Sequence, residues 1–164
     1  MERAVVIGCP GGGKSTFARA LAEKTSLPLY YLDMMYWNED KTIVERELFL
    51  ERMACALENE RWIIDGNYIS TMEKRIEKCD TVFFLDYPRE VCLEGVEARM
   101  GKPRPDMPWV ETEWDTEFRQ YIEEFGEKCR PKILSMLEKY AEKEIHVFRT
   151  RGEAESFLAE IDIR

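Results

Sequence analysis

The stretch VVIGCPGGGKSTFARAL, from Val5 to Leu21, decides the fold. An apolar run enters a glycine-rich turn and leaves it in a segment where Phe17 and Leu21 recur at helical spacing. Gly8, Gly13, Lys14 and Ser15 satisfy G-x-x-x-x-G-K-[ST] in full, directly after a strand pattern and directly before a helix pattern. Glycines let the backbone curl until its N–H groups converge on one point, a nest for phosphate oxygens. The positive end of the following helix adds to that field. The nucleotide-binding set is therefore Gly8, Cys9, Pro10, Gly11, Gly12, Gly13, Lys14, Ser15 and Thr16. Lys14 bridges the outer phosphates as a mobile point charge and Thr16 stands by the inner one. The Ser15 hydroxyl is placed to ligate Mg²⁺. Cys9 has two readings: a thiol activated by the helix N-terminus, or a small residue that the loop tolerates.

Outward from this loop, near-continuous apolar runs bounded by turn residues read as buried strands at 3–8, 27–33, 61–66, 80–86 and 144–150. Runs without alternation suit a parallel sheet covered on both faces. Helical stripes fill the gaps. Phe49, Met53, Ala56 and Leu57 mark a helix over roughly 43–59. Trp114, Phe118, Tyr121, Ile122 and Phe125 mark another, and Ile133, Leu137 and Tyr140 a third. Strands alternating with helices imply βαβ units and an α/β doubly wound domain. With 164 residues and neither repeat nor linker, one domain over 1–164 is expected. Segment 101–111, GKPRPDMPWVE, has three prolines and no periodicity. It is a surface loop and a candidate lid.

The bulk numbers narrow the function. Apolar residues make up 45% and charged residues 35%, an ordinary globular composition. No apolar run has a membrane helix's length, and no signal peptide opens the chain. Five scattered cysteines without a C-x-x-C pair argue for free thiols in a reducing cytoplasm. A net charge of −9 works against direct nucleic-acid binding. The expected partners are ATP and a small-molecule acceptor, with no membrane; the oligomeric state is left open.

Phosphate-loop hydrolases commonly carry a residue that orients the attacking water. Here the acidic strand ends read IIDGNY and FFLDYP, and neither Asp65 nor Asp86 is followed by a second acid. That favours a phosphotransferase, which must position an acceptor and shut water out. Asp65 is the candidate metal-site carboxylate, together with Ser15. Arg99, Arg104 and Arg119 lie before, within and after the candidate lid. Together with Lys14 they are the candidate catalytic cations, because charge stabilisation supplies most of phosphoryl-transfer catalysis.

The phosphate loop, WIIDGNY (62–68), LDYPR (85–89) and RPDM (104–107), in this order, resemble the adenylate-kinase-related proteins often labelled DNA topology modulation proteins of the FlaR type. Leu32-Asp33-Met34-Met35-Tyr36-Trp37 and Arg130 to Leu134 extend the likeness over essentially the whole chain. The resemblance implies a three-layer, nucleoside-monophosphate-kinase-like fold with a five-stranded parallel sheet of order 2-3-1-4-5. Asp65-Gly66 looks like the pair whose aspartate holds Mg²⁺ through water in adenylate kinases. Arg99 is similar to the arginine ending the helix before their lid, while Gly95 stands where they carry an earlier arginine. The segment Arg149 to Glu153, with Arg151 in it, looks like the one that touches the adenine. No T-G-x-x-L-R stretch follows the second strand, so the acceptor differs from AMP.

The remaining acceptor residues are Asp33, Trp37, Asn67 and Tyr68, all at or just past C-terminal strand ends, where open α/β sheets bind ligands. Asp33 suits either a hydroxyl's hydrogen bond or its proton; a turn carboxylate is the alternative. Trp37 either stacks a ring or anchors segment 34–42. The function expected is Mg²⁺-dependent transfer of the terminal phosphoryl of ATP to a nucleotide or another small hydroxylated or phosphorylated acceptor. A nucleotide-gated regulator linked to DNA topology, or a simple ATPase, stands as the alternative.

Overall fold

The computed structural model describes residues 1–161, so the last three positions of the expected 1–164 unit lie outside the described residues. Five strands form one parallel sheet in the order β2-β3-β1-β4-β5: β1 (Arg3–Gly8), β2 (Leu29–Tyr31), β3 (Trp62–Asp65), β4 (Thr81–Leu85) and β5 (Glu144–Phe148). This is the expected order. The central strands are buried on both faces, which is why their sequences lack alternation.

Helices cover both sides. α1 (Lys14–Thr25) packs on β1, β2 and β3 and meets α8 (Arg151–Glu160), which lies on β5. α4 (Ile69–Lys78) packs on β1 and meets α7 (Arg130–Lys139). α6 (Thr116–Lys128) joins α7 to α5 (Arg89–Arg99). Phe83 and Phe84 of β4 are fully buried, each contributing about 1.5–3 kcal/mol of apolar transfer free energy.

Two segments depart from the sequence reading. The strand expected over 27–33 is three residues long, and the chain turns at Leu32 into the short helix α2 (Leu32–Tyr36). Pro28 lacks an N–H to extend the ladder. Leu32 is fully buried, and a Cβ at Gly66 would come 2.9 Å from its own Cβ. The next helix, α3 (Arg46–Leu57), begins later than 43, because Trp37 and Ile43 pair across a turn closed by Asn38 N–H to the Thr42 carbonyl at 2.8 Å. Trp114, expected on a helix, precedes α6, whose start is fixed by Asp115 accepting from Phe118 N–H at 2.8 Å.

Segment 101–111 is irregular, as its prolines require. Its base is closed by Gly101 N–H donating to the Glu111 carbonyl at 2.6 Å. Among the described residues no helix is long and apolar enough to cross a membrane.

Candidate active site

The C-terminal edge of the sheet opens into a cleft of about 1200 Å³ lined by the phosphate loop, the ends of β2 and β3, and segment 101–111. Gly11 and Gly13 take φ of 82° and 86°, and Lys14 begins α1, so the loop has the inward curl its glycines permit. Lys14 Nζ donates to the Cys9 carbonyl at 3.3 Å. The Cys9 side chain takes the bland alternative. A hydrogen bond with Cys92, together with burial, pushes its thiol far above the usual range.

Asp65 ends β3 beside Val6 of β1. Its Oδ2 accepts from Ser15 Oγ at 2.5 Å, while Oδ1 is buried without a partner among the described residues. Burial pushes its pKa up to about 6, against the opposing pull of Lys14 and Ser15. A buried carboxylate oxygen without a donor, next to a hydroxyl at the helix start, is a hard-oxygen set of the kind Mg²⁺ takes. Ser15 and Asp65 therefore fit the expected metal role. Asp86 does not share it: it accepts from Arg130 at 2.8 Å and from Arg149 at 2.7 Å.

Asn67 is brought to the cleft, but its amide is engaged there. Oδ1 accepts from Gly8 N–H at 3.0 Å and Nδ2 donates to the Gly8 carbonyl at 2.5 Å. Asn67 lines the cleft, and its polar atoms there hold the first glycine of the phosphate loop. Tyr68 takes φ of 43° and donates its hydroxyl to Asp33 Oδ1 at 2.6 Å. Burial raises the Asp33 pKa, and the Tyr68 hydroxyl opposes that rise.

A residue the sequence reading passed over organises this turn. Arg75 is fully buried on α4, where Nη1 donates to the Gly66 carbonyl at 2.8 Å and Nη2 to those of Asn67 and Tyr68. Burial lowers its pKa to about 9. The signal was present: Arg75 lies on the same stripe as Met72 and Ile76, a charge where the helix pattern demands an apolar residue.

The arginines around the candidate lid are held by carboxylates. Arg99 grips Glu111 through Nε at 2.7 Å and Nη2 at 2.9 Å. Arg104 meets Asp106 at 3.1 Å, and Asp106 also faces Arg19 of α1 at 3.5 Å. Asp106, only 3% exposed, and Arg19 were not foreseen as site residues. Arg119 does not line the cleft; it pairs with Glu123 at 3.0 Å on the surface and lies over Trp114. Its expected catalytic place is corrected accordingly: an i,i+4 partner on an exposed helix face holds it away.

Arg151 does line the cleft, at the start of α8, with Nη2 3.4 Å from the Gly11 carbonyl. Trp37 meets Trp109 edge-to-face at 5.5 Å, so segments 34–42 and 101–111 touch. Gly95 has a steric reason to be glycine. A Cβ there would stand 1.9 Å from the Gly11 carbonyl oxygen, so the arginine of adenylate kinases has no room.

A phosphate nest, a Ser15–Asp65 contact and a second, half-buried carboxylate in one cleft define an ATP-dependent P-loop kinase that uses Mg²⁺ and passes phosphate to a small acceptor. No family model matches the chain. Over 115 residues it is 33% identical to a shikimate kinase of Rhodococcus jostii, covering 62% of this chain and 68% of that one. The chain belongs to the shikimate-kinase-like family of P-loop kinases.

Solved structures agree on the fold. The shikimate kinase of Acinetobacter baumannii, in complex with shikimate, has a TM-score of 0.65 at 16% identity, with 98% of this chain and 90% of that one covered. That of Bacteroides thetaiotaomicron gives 0.58 at 20% identity, covering 96% and 94%. A sugar kinase from a Janibacter species gives 0.57 at 17%, covering 97% and 91%.

Proposed function

We propose that this chain, a single catalytic unit over 1–164, transfers the γ-phosphoryl of Mg·ATP to a hydroxyl of a small acceptor held between Asp33 and segment 101–111. The observation that carries this reading is the pair of carboxylates in one cleft, Asp65 buried and Asp33 half-buried, with different company. Asp65 contacts the Ser15 hydroxyl at the phosphate loop, while Asp33 receives the Tyr68 hydroxyl. In this reading Asp65 serves the metal and Asp33 the acceptor.

In this mechanism the loop amides and Lys14 orient the triphosphate, and Arg151 covers the nucleoside end. Bound Mg²⁺ supplies charge neutralisation at the phosphates. The acceptor oxygen bonds to the γ-phosphorus, the bond to the bridging oxygen breaks, and its electron pair leaves with ADP. Asp33 takes the hydroxyl proton, which its raised pKa suits it to hold. Arg99 and Arg104 exchange their carboxylates for transferring phosphoryl oxygens as the loop closes.

Within the family we propose the DNA topology modulation type. Two of its ordered motifs reach the cleft, WIIDGNY through Asp65, Asn67 and Tyr68 and RPDM through the Arg104–Asp106 pair, while Asp86 of LDYPR pairs with Arg130 outside it. The same surface speaks against direct contact with nucleic acid, since the chain carries −9. Four of its five cysteines are buried free thiols, which suits a reducing cytoplasm.

The test is transfer of label from γ-labelled ATP, with free-phosphate release measured in parallel. Transfer that disappears in Asp33→Asn and Lys14→Ala is expected. Brisk phosphate release with no labelled acceptor would turn the assignment to a hydrolase.

A further inference from the structure

Arg75 is the one buried cation among the described residues, and it does not line the cleft. Taking a guanidinium out of water carries a large penalty, which a buried carboxylate usually offsets. Arg75 answers to backbone instead. Nη1 donates to the Gly66 carbonyl at 2.8 Å, and Nη2 donates to the Asn67 carbonyl and, at 3.2 Å, to that of Tyr68. Its Nε is buried with no acceptor among the described residues. An apolar side chain would pack with Met72 and Ile76 on the same stripe without that penalty.

What the guanidinium holds accounts for its place. Gly66, Asn67 and Tyr68 directly follow Asp65, and each neighbour in this run serves the site. Asp65 meets the Ser15 hydroxyl. Gly66 N–H donates to the Val6 carbonyl at 3.1 Å, tying the turn to β1 just before the phosphate loop. Asn67 grips both backbone polar groups of Gly8. Gly8 is blocked on its other side, where a Cβ would stand 2.4 Å from the Leu85 carbonyl oxygen. The loop's first residue is thus set between β4 and Asn67. Tyr68 has φ of 43°, a left-handed conformation that a bulky residue keeps only when its surroundings enforce it. The planar fork of Arg75 spans the three consecutive carbonyls and supplies that enforcement.

We infer, on the kinase reading above, that Arg75 is a positioning residue for Mg·ATP. Through the turn it braces, it fixes where Asp65 leaves β3 and, by way of Asn67, where the phosphate loop begins. It touches neither nucleotide nor metal. The grip on Mg·ATP is therefore governed in part from the interior of α4, on the far side of the turn from the ligand.

The experiment is calorimetry of Mg·ATP binding to the full chain, well below each protein's Tm. The set is the parent, Arg75→Lys, Arg75→Met, Asn67→Ala and the double variant Arg75→Lys with Asn67→Ala. Calorimetry returns the fraction of competent sites and the Kd separately, so partial unfolding lowers the first and a misplaced loop raises the second. Arg75→Lys keeps the charge without the fork and is expected to raise Kd by about fivefold or more at nearly full stoichiometry. Arg75→Met should raise it further. In the Asn67→Ala background, where the link to Gly8 is already cut, Arg75→Lys should change Kd by less than about twofold.

A Kd equal to the parent's in Arg75→Lys and Arg75→Met overturns the inference, even if fewer sites are competent, because Arg75 then serves folding alone. The same fold-change in both backgrounds also overturns it, since the effect would not pass through Asn67. Should Arg75→Met fail to fold, the lysine variant and its cycle decide. A folded parent that does not take up Mg·ATP removes the kinase reading itself, and the inference with it.

Discussion

Asn67 and Gly8, 59 positions apart, pair through both backbone polar groups of the glycine: the amide oxygen takes the Gly8 N–H and the amide nitrogen reaches its carbonyl. The turn after β3 thus holds the first residue of the phosphate loop, and the same turn carries Tyr68 to Asp33. Donor and acceptor halves share one backbone segment.

Replacing Asn67 with Ala strands two buried backbone groups at Gly8. We expect a loss of about 2–4 kcal/mol in urea unfolding, with weaker ATP binding by calorimetry. Asn67→Asp keeps the acceptor but not the donor, so its loss should fall between. Equal stability of parent and Ala variant would show that water replaces the amide.

Lys14 makes one long bond, to the Cys9 carbonyl at 3.3 Å. Lys14→Ala is therefore expected to unfold within about 0.5 kcal/mol of the parent while ATP affinity falls by more than 100-fold. A variant that turns over ATP normally would displace the phosphate loop from its assigned role.

Asp65 gives a pH signature. Its folded pKa of about 6 lies above its ordinary 3.8, so the metal-free protein holds this stabilisation fully below 3.8 and loses it as pH rises through about 6. That interval corresponds to about 3 kcal/mol. In EDTA, Asp65→Asn should be the more stable protein at pH 7.5 and show no advantage at pH 4. Transfer by this variant should lose its Mg²⁺ dependence along with its rate. Parallel Tm curves for the two proteins across that range would show that Asp65 titrates normally.

Arg75→Met removes a guanidinium that serves three carbonyls, and about 3 kcal/mol or more should be lost. Arg75→Lys retains a charge but only a point donor, so partial recovery is expected. A Met variant as stable as the parent would mean that the turn holds its shape unaided.

Asp106→Asn loosens the loop from α1. Hydrogen exchange over 101–111 should quicken at least tenfold in the variant, and Mg·ATP with acceptor should slow it in the parent. Exchange that is indifferent to ligand in the parent would speak against closure of this segment.

The fold was legible because its signals are local and redundant. Val5, Val6 and Ile7 form an unbroken apolar run into glycines, and the other strands repeat that grammar. α2 escaped because five residues cannot establish a period, and Leu32 ends β2 through its packing against Gly66 on a neighbouring element. The phosphate loop, Asp65, Asp33 and Tyr68 were readable as strand-end residues. Their partners were less so. That Asn67 would turn to Gly8, or that Asp106 would meet Arg19, depends on residues scores of positions away, which no local pattern encodes. Arg75 alone left a trace, as a charge on an apolar stripe.

The contact between Gly95 and Gly11 fixes what this lineage can become. With a carbonyl occupying the space of a side chain, no single codon change at 95 yields a functional arginine there without rebuilding the loop above it. Altered specificity is more readily reached by loosening a carboxylate in segment 101–111, where a guanidinium already waits.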